Sequence, residues 1–436
     1  MTVAFVTLGC KVNQVDSDAL RRRMEAAGYV CAAPEAKPDV LVINSCAVTA
    51  ESERKTRQKL RHFRSLYRDC ILVLTGCAIQ VGKAENHPEA DILLGHRDAD
   101  NLAHYIDEFS RAKARAVHIS PHCRDEAFCD LVRRSTSDRT RAHLKIEDGC
   151  DRFCAYCIIP HARGRVRSMP LEAMRCEMLS LDTKGFREIV LVGINLAAYG
   201  SDLGCDLGDA LALFSNTELF NLRRVRLGSL EPDLLTFKLL EKISSTFNNS
   251  KLELCPQFHI SLQSGCDSVL KRMSRHYSAE EYFSTIKQLR ALFPGAAVTT
   301  DIMVGFPGES EAEFGESLAF AGSVGFAKMH VFPFSPRPGT AAAAMPGQVP
   351  RAVKQARAKK MLTLAQECHA IFLNSQIGGV LEVLPEEPHP AGGMRGYSAH
   401  YAPVRIADAG PAQQNQIVPV RIEAVQGECC VGVLAR

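Results

Sequence analysis

The stretch HLKIEDGCDRFCAYCIIPHAR, residues 143–163, decides how this sequence is interpreted. It begins as a short strand-like run and continues into a polar loop that carries Cys150, Cys154 and Cys157. Cysteine thiolates are the usual ligands of a four-iron cluster, and three of them leave one iron free to bind another molecule. The spacing therefore favours an iron–sulfur cluster. A zinc site, which takes four protein ligands, is the alternative, with His161 as the fourth ligand.

Strand-like runs separated by helical patterns continue after this stretch. The six runs are HLKIEDGC (143–150), EIVLVGIN (188–195), RVRLGSLEP (224–232), FHISLQSG (258–265), AVTTDIMVGFPG (297–308) and AKMHVFPFSP (327–336). Six strand–helix units predict a barrel or part of one. A basic helix is predicted after the last unit, over residues 350–374.

The region before this stretch also alternates apolar runs with charged, amphipathic ones. The apolar runs are VAFVTLGC (3–10), DVLVINSC (39–46), CILVLTGC (70–77) and DILLG (91–95). This alternation predicts a doubly wound parallel sheet. Three runs end in Cys10, Cys46 and Cys77, and ligands of such sheets bind at the carboxyl ends of the strands. We therefore expect these three cysteines to converge on one edge of the sheet.

The composition excludes several classes of protein. The chain has 436 residues, of which 46% are hydrophobic and 23% charged, as in ordinary globular proteins and unlike disordered or fibrous ones. No run approaches the roughly 18 apolar residues of a membrane-spanning helix, and no export signal is seen. We therefore predict a cytoplasmic protein, in which 17 cysteines indicate metal binding or thiol chemistry more than disulfides.

The last 60 or so residues have a different character, with short β-like runs punctuated by Gly and Pro. The runs GVLEVL, APVRIA, IVPVRIEAV and CCVGVLA predict a small β-barrel. The predicted division is an N-terminal domain (1–120), a linker (121–136), a core domain (137–370) and a C-terminal domain (371–436). Net charge is only +3, which does not by itself indicate a nucleic-acid partner.

Several motifs, in order along the chain, resemble those of the radical S-adenosylmethionine methylthiotransferases. They are TLGCKVNQ, INSCAVT, TGCAIQ, DGCDRFCAYCIIPHARG, LVGINLAAYG, HISLQSGCDSVLKRMSRHY and DIMVGFPGE. The resemblance implies an α/β protein with an N-terminal doubly wound parallel-sheet domain, a central partial (β/α)6 radical SAM barrel and a small C-terminal β-barrel of the TRAM type.

The resemblance also implies the cofactors, which are two [4Fe–4S] clusters and S-adenosylmethionine. Cys150, Cys154 and Cys157 would hold the catalytic cluster that binds S-adenosylmethionine and yields a 5′-deoxyadenosyl radical on reduction. An auxiliary cluster on Cys10, Cys46 and Cys77 would carry the sulfur that is transferred. An electron donor such as flavodoxin or ferredoxin is implied as a partner.

The segment Gly9-Cys10-Lys11-Val12-Asn13 is similar to one branch of the family, which acts on threonylcarbamoyladenosine. This similarity implies transfer of a methylthio group to C2 of N6-threonylcarbamoyladenosine at position 37 of tRNA, next to the anticodon. Isopentenyladenosine in tRNA and an aspartate of a ribosomal protein are the alternative substrates. The alternative of another class is a non-catalytic iron–sulfur protein that binds RNA or acts as a sensor.

Polar residues at the ends of the barrel strands are candidate contacts for S-adenosylmethionine, because such groups point into the site of a barrel enzyme. The candidates are Tyr156, which precedes the third loop cysteine, and Asn195, Ser229, Glu231, Gln263 and Asp301. His259, flanked by apolar residues, is interpreted as a structural histidine of the barrel.

Basic stretches are candidate contacts for tRNA phosphates. The predicted RNA-binding residues are Arg163, Arg165 and Arg167, after the cysteine loop, and Arg395 in the tail. The run 54–68 and Arg133, Arg134, Arg139 and Arg141 add to this basic character. The tail holds more acidic than basic residues, which argues against it as the main RNA-binding surface.

Overall fold

The computed structural model describes residues 1–123, 126–128, 140–248 and 250–435. Its first part is a sheet of six parallel strands, called here the N-terminal sheet, in the order β2-β1-β3-β4-β5-β6. The strands are β1 (Thr2–Thr7), β2 (Val30–Cys31), β3 (Val40–Ser45), β4 (Ile71–Gly76), β5 (Ile92–Leu94) and β6 (Ala116–His118).

Helices cover both faces of this sheet, so that β3 and β4 are buried along their whole length. The helices are α1 (Lys11–Ala26), α2 (Ala50–Leu66), α3 (Cys77–Val81) and α4 (Leu102–Ala112). Two apolar cores result, one on each face. The predicted doubly wound sheet is confirmed, with β2 and β6 as additional strands. These two strands have only two and three residues, too few to show a hydrophobic period.

The central part is an open barrel of parallel strands, called here the central barrel. Its strands are β7 (Ala142–Lys145), β10 (Glu188–Val192), β11 (Arg224–Leu227) continued by β12 (Ser229–Leu230), β13 (Glu253–Leu254) followed by β14 (Gln257–Ile260), β15 (Ala297–Val304) and β16 (Lys328–Pro333). A small antiparallel pair, β8 (Glu147–Asp148) and β9 (Arg167–Ser168), flanks the cysteine loop. The predicted partial barrel of six units is confirmed.

Helices surround this barrel and complete its core. They are α5 (Ile159–Arg163), α6 (Leu171–Thr183), α7 (Leu207–Asn216), α8 (Phe237–Phe247), α9 (Asp267–Arg272), α10 (Ala279–Leu292), α11 (Glu311–Val324), α12 (Ala341–Ala344) and α13 (Arg351–Asn374). Helices α7, α10 and α11 each begin with a capping box. In this motif the side chain of the N-cap residue accepts a hydrogen bond from the backbone N–H three residues later, and the side chain of that later residue accepts one from the N-cap N–H. The predicted basic helix over 350–374 corresponds to α13.

The tail forms a closed barrel in the order β17-β18-β19-β21-β20, called here the C-terminal barrel. Its strands are β17 (Val380–Pro388), β18 (Met394–Ser398), β19 (Pro403–Ile406), β20 (Val418–Gln426) and β21 (Cys429–Leu434). The sequence predicted four of the five. The missed strand is β18, with the sequence MRGYS (394–398). Its one aliphatic residue, a methionine, is followed by an arginine and a glycine, so the alternation of apolar and polar residues that indicates a strand is not visible. Helix α13 extends from the central core into this barrel, where Leu373 packs, so the predicted boundary at residue 371 lies inside the helix.

Buried charges attach the C-terminal barrel to the central barrel. Glu188 on β10 accepts hydrogen bonds from Arg224 at 2.6 Å and from Arg226 at 2.8 Å. The two guanidinium groups also donate to backbone carbonyls of the C-terminal barrel, those of Glu382, Tyr397, Ser398 and Ala399. Although burial acts to raise it, Arg226 and Arg224 hold the pKa of Glu188 at about 2.

Candidate active site

The first cysteine set, Cys10, Cys46 and Cys77, lies at the carboxyl edge of the N-terminal sheet, as predicted. The three residues follow β1, β3 and β4, which are adjacent strands. The Oδ1 atom of Asn13 is 3.7 Å from the sulfur of Cys10 and 3.9 Å from that of Cys77. A Cβ atom on Gly9 would lie 3.2 Å from the sulfur of Cys46. The structure therefore brings the three thiols together around Asn13.

The close approach of these strand ends depends on Gly76. Its φ of +94° is in the region that favours glycine, and a Cβ atom there would lie 2.3 Å from Oδ1 of Asn44. Asn44 in turn donates to the backbone carbonyl of Asn13 at 3.0 Å. Gly76 thus lets the chain turn directly from β4 into Cys77 without displacing this amide network.

The second cysteine set, Cys150, Cys154 and Cys157, lies on the loop between β8 and α5. Backbone bonds fix the loop, because the N–H of Cys150 donates to Gly164 and that of Ala155 donates to Met273. His161, the fourth ligand of the zinc alternative, lies at the solvent with its ring against Phe153. Among the described residues, no three His, Cys, Asp or Glu side chains converge closely enough for a single metal ion.

Both sets suit iron–sulfur clusters chemically, since all six residues are free thiols and each thiolate of a cluster binds a different iron. Burial raises the pKa of Cys77, Cys150 and Cys157 to about 12, and it also raises that of Cys46. A thiol that burial keeps protonated becomes a thiolate when a metal supplies the compensating charge. The buried thiols therefore fit metal ligands better than free nucleophiles.

The two cysteine sets face one another across a shared apolar contact. Ala47 and Cys77 from the N-terminal sheet pack with Ile158 and Ala162 from the second loop and α5. Val48 and Thr49, which come shortly after Cys46 of the first set, line a cavity together with Cys157 of the second set. The segment after Cys46 and the second cysteine loop therefore share one cavity.

That cavity has a volume of about 200 Å³ and contains three of the six predicted contacts for S-adenosylmethionine. Tyr156, Gln263 and Asp301 reach it from three different elements, and its apolar walls include Met303, Phe332 and Phe334. Gln263 has a φ of +65° and forms an isolated bridge with Ile302 on β15. The structure thus assembles these three residues beside the cysteine loop.

The other three predicted contacts, Asn195, Ser229 and Glu231, are not part of the cavity lining. Asn195 and Glu231 lie together, because the Oδ1 atom of Asn195 accepts a hydrogen bond from the backbone N–H of Glu231 at 3.2 Å. Ser229 is the first residue of β12 and is in register with His259. His259 itself contacts Thr299 at 3.0 Å and Asp301 at 3.3 Å, so that it connects the barrel interior to the cavity.

Arg275 is a site residue that the sequence did not reveal. Its guanidinium lies 3.3 Å from the sulfur of Cys154, 3.5 Å from the hydroxyl of Tyr156 and 2.8 Å from the carboxylate of Glu231. It lies in the turn after α9, within the motif HISLQSGCDSVLKRMSRHY but not at a strand end. Glu231 therefore reaches the second cysteine set through Arg275. Burial raises the pKa of Glu231, and Arg275 opposes that rise.

Glu147 is a second such residue, three positions before Cys150. It is fully buried on β8 and accepts the backbone N–H of Asn195 at 2.7 Å. Its other oxygen has no hydrogen-bond partner among the described residues. Burial raises the pKa of Glu147 well above its usual range, which favours the protonated form next to the cysteine loop.

Two of the predicted RNA contacts, Arg163 and Arg167, are buried and paired inside the protein. Arg163 is 1% exposed and donates to Asp16, Asp148 and Asn13. Arg167 is also buried and pairs with Glu126 at 3.1 Å. Both side chains are used inside the protein because the loop turns inward between the two cysteine sets.

Most of the other basic candidates in the described residues are paired with acidic side chains. Arg165 is exposed beside Asp151, and Arg395 is exposed beside Glu387. Four arginines of α2, within the predicted basic run 54–68, pair with acids: Arg54 with Glu51, Arg57 with Glu53, Arg61 with Glu89 and Arg64 with Asp91. Arg141 pairs with Glu386. Arg133, Arg134 and Arg139, with most of the predicted linker, lie outside the described residues.

No helix in the described ranges is both long and apolar enough to cross a lipid bilayer.

Two family models match the sequence. Residues 2–95, which contain the first cysteine set, match the model described as Uncharacterized protein family UPF0004. Residues 144–321, which contain the second set, match the Radical SAM superfamily.

Solved structures share the fold at low sequence identity. The radical S-adenosylmethionine methyltransferase TsrM from Kitasatospora setae superposes with a TM-score of 0.57 and 13% identity, covering 78% of this chain and 74% of that one. The enzyme OxsB, described as a cobalamin-dependent S-adenosylmethionine radical enzyme, gives a TM-score of 0.50 and 12% identity, covering 85% and 56%. At these identities the likeness concerns the fold alone.

Sequence relatives cover nearly the whole chain. The threonylcarbamoyladenosine tRNA methylthiotransferase MtaB of Thermotoga maritima is 37% identical over 92% of this chain and 90% of its own. The protein of the same name from Bacillus subtilis is 37% identical over 88% and 85%. The tRNA-2-methylthio-N(6)-dimethylallyladenosine synthase of Pelotomaculum thermopropionicum is 31% identical over 99% and 97%. With these relatives and both family models, the chain belongs to the radical S-adenosylmethionine methylthiotransferase family.

Proposed function

We propose that this enzyme transfers a methylthio group to C2 of N6-threonylcarbamoyladenosine at position 37 of tRNA, next to the anticodon. The observation that carries the proposal is that residues beside the two three-thiol sets meet: Ala47 and Cys77 pack with Ile158 and Ala162, and Val48 and Thr49 line one cavity with Cys157. Relatives named for threonylcarbamoyladenosine are 32–37% identical to this chain, and relatives named for dimethylallyladenosine are 31–33% identical. The two relatives at 37% identity support the choice of substrate.

As a member of its family the enzyme uses S-adenosylmethionine and [4Fe–4S] clusters. We assign Cys150, Cys154 and Cys157 to the catalytic cluster and Cys10, Cys46 and Cys77 to the auxiliary one. When bound, the clusters supply reductive cleavage of S-adenosylmethionine and the sulfur that is transferred.

The remaining task of the chain is to bind, orient and shield the reactants. Asp301, Gln263 and Tyr156 offer polar groups to S-adenosylmethionine in the cavity, and Met303, Phe332 and Phe334 exclude water from it. Arg275 places a positive charge against Cys154 and holds Glu231 in the same network. An anticodon loop suits this site, because an unpaired base can turn out of its stack into a pocket.

We further propose that the enzyme works in the cytoplasm and receives electrons from a flavodoxin or ferredoxin. Support comes from its tRNA-modifying relatives and from the need of this chemistry for a one-electron donor.

The proposal is tested by mass spectrometry of tRNA nucleosides from a strain that lacks the gene. We expect loss of 2-methylthio-N6-threonylcarbamoyladenosine and accumulation of its unmethylthiolated precursor, both reversed by the wild-type gene. Loss of the dimethylallyl product instead would assign the alternative tRNA substrate. Unchanged tRNA with a lighter ribosomal protein would assign the ribosomal aspartate.

A non-catalytic role is distinguished by a reaction in vitro. Reconstituted enzyme with a chemical reductant should convert S-adenosylmethionine to 5′-deoxyadenosine and methionine. A protein that bound tRNA but left S-adenosylmethionine intact would be a binding or sensing protein.

A further inference from the structure

Lys11 lies where three parts of the molecule meet beside the first cysteine set. It follows Cys10 and is the first residue of α1. Its ammonium lies 5.9 Å from the ring centroid of Tyr401, in the C-terminal barrel. Burial lowers the pKa of His330 on β16, and the charge of Lys11 is close enough to add to that effect. Lys11 thus stands between the N-terminal sheet, the inner face of the central barrel and the C-terminal barrel.

The inner face of the central barrel connects this position to the cavity. The rings of His259 and His330 are 5.9 Å apart, and His259 contacts Asp301, which lines the cavity. The two histidines thus form a path from Asp301 in the cavity towards Lys11 and the C-terminal barrel.

The other cations around Tyr401 already have carboxylate partners. Arg226 pairs with Glu188, and Arg141 pairs with Glu386. These two guanidinium groups also lie 4.9 and 5.3 Å from the ring centroid of Tyr401 and so help to fix the ring. In the described part of the chain, Lys11 has no carboxylate within ion-pair distance and the residue reaches the surface, while burial of its ammonium and the charges of Arg141 and Arg226 lower its pKa. It is therefore a cation that is available to a ligand.

The proposed substrate carries the matching charge. Its N6 substituent ends in a threonyl carboxylate, whereas a dimethylallyl group is apolar. A carboxylate that leaves water for a protein site needs a cation or several hydrogen bonds to compensate its lost hydration. An apolar substituent gains nothing from an ammonium group and must remove water from it. One lysine can therefore favour the substrate with the carboxylate and disfavour the substrate with the apolar substituent.

We propose that Lys11 binds the threonyl carboxylate of the substrate and is the residue that selects N6-threonylcarbamoyladenosine over an adenosine with an apolar N6 substituent. This inference rests on the proposed function. It makes Lys11 a specificity residue, and it assigns the C-terminal barrel, through Tyr401, a part in forming the substrate pocket.

The test compares the binding of two synthetic anticodon stem-loops to the reconstituted enzyme. One carries N6-threonylcarbamoyladenosine, and the other carries the same nucleoside with its carboxylate converted to the carboxamide. We expect the wild type to bind the carboxylate form about tenfold more tightly, as for a hydrogen bond to a charged group. Lys11→Met should bind both forms equally, and Lys11→Arg should keep part of the preference.

Lys287→Met is the matched control, because Lys287 is an exposed lysine on α10 whose ammonium also lies over an aromatic ring, that of Phe283. It should keep the full preference. Iron content and the visible spectrum of each variant show whether the clusters are intact. The carboxamide comparison on the wild type shows whether the carboxylate is recognised at all, and the partial preference of Lys11→Arg, which keeps the charge, assigns that recognition to Lys11 even if Lys11→Met lost its auxiliary cluster.

The outcomes separate this inference from the proposed function. A wild type that methylthiolates the threonylcarbamoyl substrate but binds both stem-loops equally would overturn the role of Lys11 and leave the function standing. The same conclusion would follow if Lys11→Met kept the tenfold preference. A wild type that methylthiolates only a dimethylallyl substrate would overturn both.

Discussion

A single buried guanidinium, that of Arg163, joins the two cysteine sets. Arg163 is the last residue of α5, directly after the second set, and it donates to Asn13 of the first set at 2.7 Å. Two carboxylates, of Asp16 and Asp148, complete its surroundings at 2.8 and 3.0 Å. Arg163 thereby fixes the distance between the two metal-binding regions from inside the protein.

Replacing Arg163 by Met should destabilise the protein strongly. It would leave the buried carboxylates of Asp16 and Asp148 without one of their partners, which costs about 3–5 kcal/mol when a buried pair is broken. Denaturant unfolding of the metal-free variant measures this loss. Arg165→Met is the control, since Arg165 is exposed two positions away and should change the free energy of unfolding by less than about 0.5 kcal/mol. Equal free energies of unfolding for the two variants would show that the buried ion pairs of Arg163 with Asp16 and Asp148 do not stabilise the protein.

Roles such as those of Arg163 and Arg275 could not be predicted from the sequence. Each depends on partners far along the chain, 150 residues away for Arg163 and Asn13 and 121 for Arg275 and Cys154. Nothing in a basic run distinguishes an arginine that turns inward from one that faces solvent. For that reason the sequence did not indicate that Arg163 and Arg167, the expected phosphate contacts, are buried.

At the scale of elements, the position of the first cysteine set could be predicted because strand order follows from simple rules. Parallel strands connected by helices end at the same edge of a sheet, so three cysteines that each close an apolar run must meet there. The same rule placed Gln263 at the cavity, which Asp301 reaches from within β15. It did not place Asn195, Ser229 and Glu231 there, because which strand ends line one cavity depends on the curvature of the open barrel.

The two cysteine sets lie on different elements and should load iron independently. Replacing Cys150, Cys154 and Cys157 by Ala should leave about half of the iron of the reconstituted wild type, because each set holds one four-iron cluster. Iron analysis of protein reconstituted without oxygen measures this. Loss of all the iron, or of none, would contradict the assignment of two separate clusters.

At the scale of the whole molecule, the C-terminal barrel is held to the central barrel by the buried Glu188 and its two arginines. Glu188→Gln would leave two buried guanidinium groups without their counter-charge, at a cost of about 3–5 kcal/mol. We expect this variant to release the C-terminal barrel to proteases more readily at neutral pH. Glu387→Gln is the control, because its ion pair with Arg395 is exposed and contributes at most about 1 kcal/mol.

The same carboxylate predicts how stability depends on pH. The pKa of Glu188 is about 2 in the folded protein against 4.5 ordinarily, so the unfolded chain binds its proton first as the pH falls. Its contribution is therefore fully present above about pH 5 and is lost towards pH 2. Thermal unfolding of metal-free protein should show a shallower loss over this range for Glu188→Gln than for the wild type. Parallel curves would exclude Glu188 as a source of acid sensitivity.

The central claim is that the two cysteine sets perform separate halves of one reaction. The most direct measurement is the yield of 5′-deoxyadenosine and of methylthiolated nucleoside from a variant in which Cys10, Cys46 and Cys77 are replaced by Ala, given reductant, S-adenosylmethionine and tRNA. Because cleavage of S-adenosylmethionine needs only the second set, we predict that 5′-deoxyadenosine still forms while no methylthiolated nucleoside appears. Methylthiolated nucleoside at the wild-type yield would contradict the account.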